Sequence, residues 1–161
     1  MAVFAPSVEF LWEDYCPSLR EEMAPLLERH WKEIAHYPDI PLAPDWDLYQ
    51  KTHEIGALQV FTARERKDGA TALGRLLGYA VFFVLPNFHH RGSLQAQQDA
   101  LFIEKEHRSF GARFIEWCDK RLALMNVEIV MHQVKITHDF GPLLEHLGYK
   151  KIASIYHRRL R

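Results

Sequence analysis

The amino-acid sequence predicts one α/β domain, of the α+β kind, in which a mixed sheet carries helices on both faces. Three observations predict it. Alternating and helical periodicities succeed one another in the order β, α, α, β, β, β, α, β, α, β over 161 residues. The run Gly78-Tyr79-Ala80-Val81-Phe82-Phe83-Val84 is apolar on both faces, as a central strand covered from two sides requires. Between residues 94 and 149 a strand, a tight Ser-Phe-Gly turn, an amphipathic helix, a strand and a short helix ending in Gly-Tyr follow in order.

Each element has its own reason. Val8, Phe10 and Trp12 alternate with Glu9 and Glu13, giving a first strand over residues 8–14. Ser18 opens a helical pattern through Leu19, Met23, Leu26, Leu27, Trp31 and Ile34, and Pro25 inside it predicts a kink or two abutting helices. Pro38, Pro41 and Pro44 make residues 37–45 a loop, and a short helix over 46–55 follows, with Asp45 as its N-cap and Gly56 past its end. Residues 58–64 and 76–85 read as a hairpin joined through Lys67-Asp68-Gly69. Residues 94–104 form the next strand. Phe110, Phe114, Ile115, Cys118, Leu122 and Met125 share one stripe of a helix over 110–125, with Ser109 as N-cap. A strand over 127–135, a helix over 140–147 opened by Asp139 and closed by Gly148, and a last strand or pair of short strands over 151–160 complete the chain.

Length and composition fit a single unit over residues 1–161, with enough apolar content for a proper core. A formal charge of −1 supplies no field to attract a polyanion, so a nucleic-acid partner is not expected; the basic tail His157-Arg158-Arg159-Leu160-Arg161 reads as a charged edge. Cys16 and Cys118 lack CxxC spacing and call for no oxidising compartment. No basic segment followed by a long apolar run marks a secretory leader, and no 18-residue apolar stretch marks a membrane span, so the expected location is the cytoplasm. A C-terminal edge strand leaves a homodimer open.

A strand feeding a helix through a tight turn aims backbone N–H groups and a helix N-terminus at one spot, which favours a phosphate. With this element order, the string Arg108-Ser109-Phe110-Gly111-Ala112-Arg113 and the terminal Gly148-Tyr149, the chain resembles the GNAT superfamily of acyl-CoA N-acyltransferases, and in particular the GNAT-like proteins of tailed bacteriophages. The resemblance spans nearly the whole chain. It implies a mixed, mostly antiparallel sheet of six to seven strands, splayed between the fourth and fifth, with helices on both faces. It also implies acetyl-CoA as co-substrate, a primary amine on a small molecule or protein lysine as acceptor, and a host-cytoplasm location if the protein is phage-encoded. The family's Arg/Gln-x-x-Gly-x-Gly/Ala loop fits in two registers. One starts at Arg108; the other makes Gly111 the last glycine, Ser109 the first, and puts Glu106 at the Arg/Gln position.

By this resemblance the diphosphate lies against Arg108, Ser109, Phe110, Gly111, Ala112 and Arg113, and the thioester against backbone N–H groups at Phe102 and Ile103, facing residues 130–132. Asp99, which interrupts an apolar strand where relatives often carry a carboxylate, is the first candidate for general base. His132 and His138 have a suitable intrinsic pKa for the same work. Leu144 stands where many relatives carry a tyrosine acid, so the proton for the leaving thiolate is left to Tyr149, His138 or water. His89 and His90, in the loop after the third strand, are candidate acceptor contacts, with Trp31, Trp46 and Tyr49 as a candidate pocket wall. Glu104, near the phosphate turn, reads as a surface charge. No HxH, HExxH or carboxylate triad accompanies the histidines, so no metal is expected.

Overall fold

The computed structural model describes residues 7–67, 69 and 71–161. Residues 1–6, read above for a leader, and Asp68, in the expected hairpin turn, lie outside them. The elements are β1 (Val8–Glu13), α1 (Pro17–Ile34), α2 (Trp46–Glu54), β2 (Leu58–Glu65), β3 (Leu76–Pro86), β4 (Leu94–Ile103), a 3-10 turn (Lys105–Phe110), α3 (Gly111–Leu124), β5 (Val127–Met131) and α4 (Gly141–His146). They build one five-stranded sheet in the order β1-β2-β3-β4-β5. The first three pairings are antiparallel and β4–β5 is parallel, joined by the α3 crossover. Among the described residues, no helix is long and apolar enough to cross a membrane.

Alternation along β2 and β3 divides the core between the two faces. Phe61, Leu77, Phe82 and Ala96 pack under Phe114, Cys118 and Leu122 of α3. Leu58, Val60, Tyr79, Val81 and Phe102 pack under Leu19, Met23 and Leu26 of α1, with Trp46 and Tyr49 of α2 at the margin. α1 runs unbroken through Pro25 rather than as two helices. Pro25 is exposed, so the carbonyl freed by its missing N–H meets water, while the buried stripe Leu19, Met23, Leu26 and His30 holds the helix to the sheet. Asp45 caps α2 as expected, its Oδ1 accepting from Leu48 N–H at 2.9 Å.

Three expectations are corrected. The sheet has five strands, not six to seven, because residues 151–160 form no strand. That arm is exposed and makes its contacts with the proline loop, where Arg159 pairs with Asp39 and the His157 ring stacks on Tyr37. Second, β5 stops at Met131 instead of running to residue 135, where its partner strand leaves it. Third, α3 begins at Gly111 after a 3-10 turn and has no side-chain cap, so Ser109 lies inside the turn and does not cap the helix.

A buried guanidinium ties α1 to the sheet. Arg64 is fully buried and donates to both oxygens of Glu13 (2.7 and 3.0 Å), both oxygens of Glu22 (2.7 and 3.0 Å) and Gly74 O (2.9 Å). All five of its N–H donors face an acceptor, the condition under which a buried charge is tolerated.

Candidate active site

The β4–β5 ladder pairs Leu94 with Val127, Gln95 with Ile129, Ala96 with Val130 and Gln97 with Met131, and then ends. β4 runs on to Ile103 with no β5 partner, so the sheet is cleft beyond Gln97. Phe102 and Ile103 therefore do not face Val130 and Met131, which are paired further back; of the three expected partners only His132 lies at the cleft. At its root β4 bulges. Val81 pairs with Ala100 and Phe82 with Gln98, leaving Asp99 as the extra residue. Bulges re-aim side chains and are common beside active sites.

On the α1/α2 face, Asp99 is exposed and its Oδ2 accepts a 2.6 Å hydrogen bond from the Tyr49 hydroxyl. Desolvation by its neighbours pushes the carboxyl above the ordinary Asp range, and the Tyr49 bond opposes that rise. Burial and the Asp99 bond push the Tyr49 phenol well up, so it keeps its proton. Deeper in, the Tyr79 hydroxyl meets His30 Nδ1 at 3.1 Å, and His30 stacks on Phe102 with centroids 5.1 Å apart. Burial lowers His30 to a pKa of about 4. The Tyr15 hydroxyl is buried with no hydrogen-bond partner among the described residues.

The opposite face carries a second polar chain. His132 Nδ1 lies 2.6 Å from Gln98 Oε1, and its Nε2 lies 3.2 Å from the Tyr149 hydroxyl, which donates to Asp119 Oδ1 at 2.6 Å. With Nδ1–H donating to Gln98, the Tyr149 oxygen has two bases beside it and one proton to give. Burial holds His132 at a pKa of about 4, so the ring is neutral at pH 7. Burial and the Asp119 bond keep the Tyr149 phenol protonated. The end of α4 delivers Tyr149 to this place. Gly148 takes φ +93°, its N–H donates to Glu145 O, and Tyr149 N–H donates to Leu144 O, a Schellman closure that turns the chain back to the sheet. Leu144 is buried core.

The expected phosphate turn sits at the far end of β4 in a closed form. His107 N–H donates to Glu104 O and Gly111 N–H to Arg108 O, so the 3-10 winding uses its amides within the turn. Ser109 and Arg113 are exposed, Ala112 is half-buried, and Phe110 and Gly111 are buried. Arg108 donates to Ile103 O (3.2 Å) and to Glu33 Oε2 of α1 (2.6 Å), and His138 Nε2 reaches the same Glu33 oxygen at 3.1 Å. One internal carboxylate thus occupies the cationic corner beside the turn. Glu104 is not a surface charge: it is buried, between Arg75 at 2.7 Å and Arg29 at 2.9 Å.

The structure brings Asp99, His132 and Tyr149 to one cleft, from two faces, and places His138 at the Arg108 corner. His89 and His90 do not join them. They are exposed in the turn before β4, whose first residue, Leu94, already lies five residues or about 16 Å along the strand from Asp99. Trp31 is half-buried on α1, and it is Trp46 and Tyr49 that stand beside the Asp99 cleft. Tyr79, His30, Gln98, Asp119 and Glu33 are additions to the sequence reading. A carboxylate next to Cys118 on the apolar stripe was a visible sign for Asp119; nothing local connects Glu33 to Arg108 across 75 residues. Among the described residues no cluster of His, Cys, Asp or Glu is arranged to hold a metal.

No protein-family model and no curated protein matches the chain. Solved structures do. The chain is similar to a ribosomal-protein-alanine N-acetyltransferase from Brucella melitensis biovar Abortus 2308, with a TM-score of 0.68 at 20% identity over 96% of this chain and 100% of that one. A predicted acetyltransferase from Clostridium acetobutylicum, solved with acetyl-CoA, gives a TM-score of 0.65 at 9% identity over 96% and 97%. A transcriptional regulator from Bacillus halodurans C-125 gives 0.70 at 11% identity over 94% and 100%. At such identities the likeness establishes the fold, one that this chain shares with solved acetyltransferases and with that regulator.

Proposed function

We propose that the protein is an N-acetyltransferase that moves the acetyl group of acetyl-CoA onto a primary amine by direct attack. The carrying observation is the bulge that sets Asp99 at the root of the cleft, with the His132–Tyr149–Asp119 chain meeting the same cleft from the other face. The thioester lies between the parted strands, against the backbone of Phe102 and Ile103. The amine approaches from the Asp99 side; its nitrogen forms the C–N bond, the C–S bond breaks, Asp99 takes the amine proton, and Tyr149 protonates the departing thiolate. His132 and Asp119 position Tyr149, whose proton is restored from solvent. Arg108, Arg113 and the Ser109 hydroxyl hold the diphosphate together with the amides of Phe110, Gly111 and Ala112, once Glu33 releases Arg108 and the 3-10 turn opens. His138 serves this phosphate end rather than proton transfer. The acceptor amine is carried by a small molecule or a protein lysine.

Acetyl-CoA at one hundred times its Kd stabilises a binding protein by about 2.7 kcal/mol, a rise of roughly 5–10 °C in Tm for a domain this size. Thermal shift and calorimetry with acetyl-CoA, then mass-spectrometric detection of acetylated amine, test the proposal. Absence of any shift with acetyl-CoA and with longer acyl-CoA refutes it. The closed turn favours one alternative, a non-catalytic protein of the same fold that binds a protein partner, and that negative result is the one it expects.

A further inference from the structure

The sheet leaves over one edge and one segment. The edge is the outer side of β5. Among the described residues β4 is the one strand beside it, so the backbone groups of Val127–Met131 that face away from β4 have no ladder partner. The segment is Lys151–Tyr156, tethered at both ends. Before it, Tyr149 is hydrogen-bonded to Asp119 and His132; after it, the His157 ring stacks on Tyr37 and Arg159 pairs with Asp39. Between these tethers the chain forms no helix, turn or ladder, and among the described residues no backbone–backbone hydrogen bond reaches it. Its composition is that of a strand, yet Ile152, Ile155 and Tyr156 stand 85%, 61% and 92% exposed. Such side chains gain by leaving water, and an open strand edge is a ready template for pairing.

We infer that the protein forms a reciprocal dimer in which residues 151–156 of each copy pair, as a sixth strand, with the outer edge of β5 of the other. Length agrees. β5 has five residues, about 17 Å, and the segment has six, about 20 Å. Charge agrees as well: β5 carries one charged residue, Glu128, and the segment carries one, Lys151, so no register sets like charges opposite each other. Pairing with its own β5 would require the chain to turn back at Tyr149 and to give up the Tyr37 and Asp39 contacts, whereas both tethers survive pairing with a second copy. A two-fold axis repeats the contact once and closes it, so the assembly stops at two. The interface draws five and six residues from each copy, against roughly 20–30 a side in a stable complex, so the dimer dissociates on dilution through the micromolar range. None of this depends on the transferase reading.

Sedimentation velocity on the 161-residue protein from about 1 to about 200 µM reads the mass, and a rise from one copy to two is expected. The double substitution Ala153→Pro with Ser154→Pro removes two successive N–H groups. These point to opposite edges of a strand, so the one aimed at β5 is lost in either register. Because no backbone–backbone hydrogen bond reaches the segment in a single copy, circular dichroism should be unchanged while the dimer's Kd rises at least tenfold. Ser154→Ala, which keeps its N–H, should stay within twofold of the parent. Hydrogen exchange at about 200 µM locates the edge: β5 amides should exchange at least fivefold more slowly in the parent than in the double-proline protein. Dilution of the parent alone to about 1 µM should speed the same amides. A parent that remains a single copy at about 200 µM, or a dimer that survives the prolines, overturns the inference. Loss of the dimer with unchanged β5 exchange overturns it too, because the segment then pairs with some other surface.

Discussion

Replacing Glu33 with Gln is expected to tighten acetyl-CoA binding about tenfold. The Glu33 carboxylate sits 2.6 Å from Arg108 and 3.1 Å from His138, where a phosphate oxygen of the coenzyme is proposed to go. The Arg108 and Glu33 side chains are 40% and 29% exposed, so the local dielectric is nearer water than protein interior. Two unit charges about 5 Å apart at an effective dielectric constant of about 50 repel by about 1.3 kcal/mol. Gln keeps the shape of the side chain and removes that term, which corresponds to roughly a factor of ten in Kd. Loss of the half-exposed Arg108 pair costs stability by about 0–1 kcal/mol. The assay is calorimetric titration of both proteins with acetyl-CoA at about 0.1 M and about 1 M salt, where the Debye lengths are about 10 and 3 Å. The gain should be largest at low salt and fade at high salt. Unchanged or weaker binding by Glu33→Gln at low salt would refute the placement of the diphosphate.

Gly111→Ala is expected to fold as well as the parent, and about 0.5–1 kcal/mol more stably, because Gly111 is helical at φ −54° and an added Cβ meets only Ile103 Cδ1 at 3.5 Å. A tenfold or greater loss of acetyl-CoA affinity then marks a ligand approaching that Cα, and unchanged affinity excludes the contact. Buried His30 and half-buried His132, both lowered to about 4 against an ordinary 6.5, make stability fall as pH drops. Their folded pKa values lie below the unfolded one, so stability is full above about pH 6.5 and lost as pH falls toward 4. Between pH 7 and pH 5 the loss is about 2 kcal/mol per ring, readable as a urea midpoint that drops in the parent and drops less in His30→Phe; a flat midpoint contradicts both burials. Tyr49→Phe removes the hydrogen bond that opposes the rise of the Asp99 pKa, so the acid limb of the turnover profile should move to higher pH, while an unmoved limb rules Asp99 out as the base. Arg64→Ala strands two carboxylates and should cost about 3–5 kcal/mol in chemical denaturation, with Glu22 at the solvent edge drawing the value toward the lower end.

Most of the architecture was legible because it is written in local periodicity. Val8, Phe10 and Trp12 alternate, the stripe of α3 repeats, and Asp45 announces α2, so these elements fall within a residue or two of their expected bounds. The failures are places where a distant partner decides. Residues 151–160 have strand composition, yet they lie against the proline loop through Asp39 and Tyr37. Glu104 looks like any charged loop residue until Arg29 and Arg75 close on it. The site shows the same division. Asp99 was visible as a carboxylate breaking an apolar strand, and Tyr149 through the glycine before it. The Asp99 bulge, the Tyr15 hydroxyl and the Glu33–Arg108–His138 corner depend on register and on helix placement, which no short window encodes.

The sheet's spatial order repeats its order along the chain, and this bears on how the protein assembles. Three successive antiparallel pairings join neighbours in sequence, so the meander can zip by short steps with little loop-closure entropy. The parallel β4–β5 contact must wait until α3 has formed and swung across. The cleft is therefore expected to be completed last in folding and opened first in partial unfolding, with amide exchange in β5 outpacing that in β2 and β3.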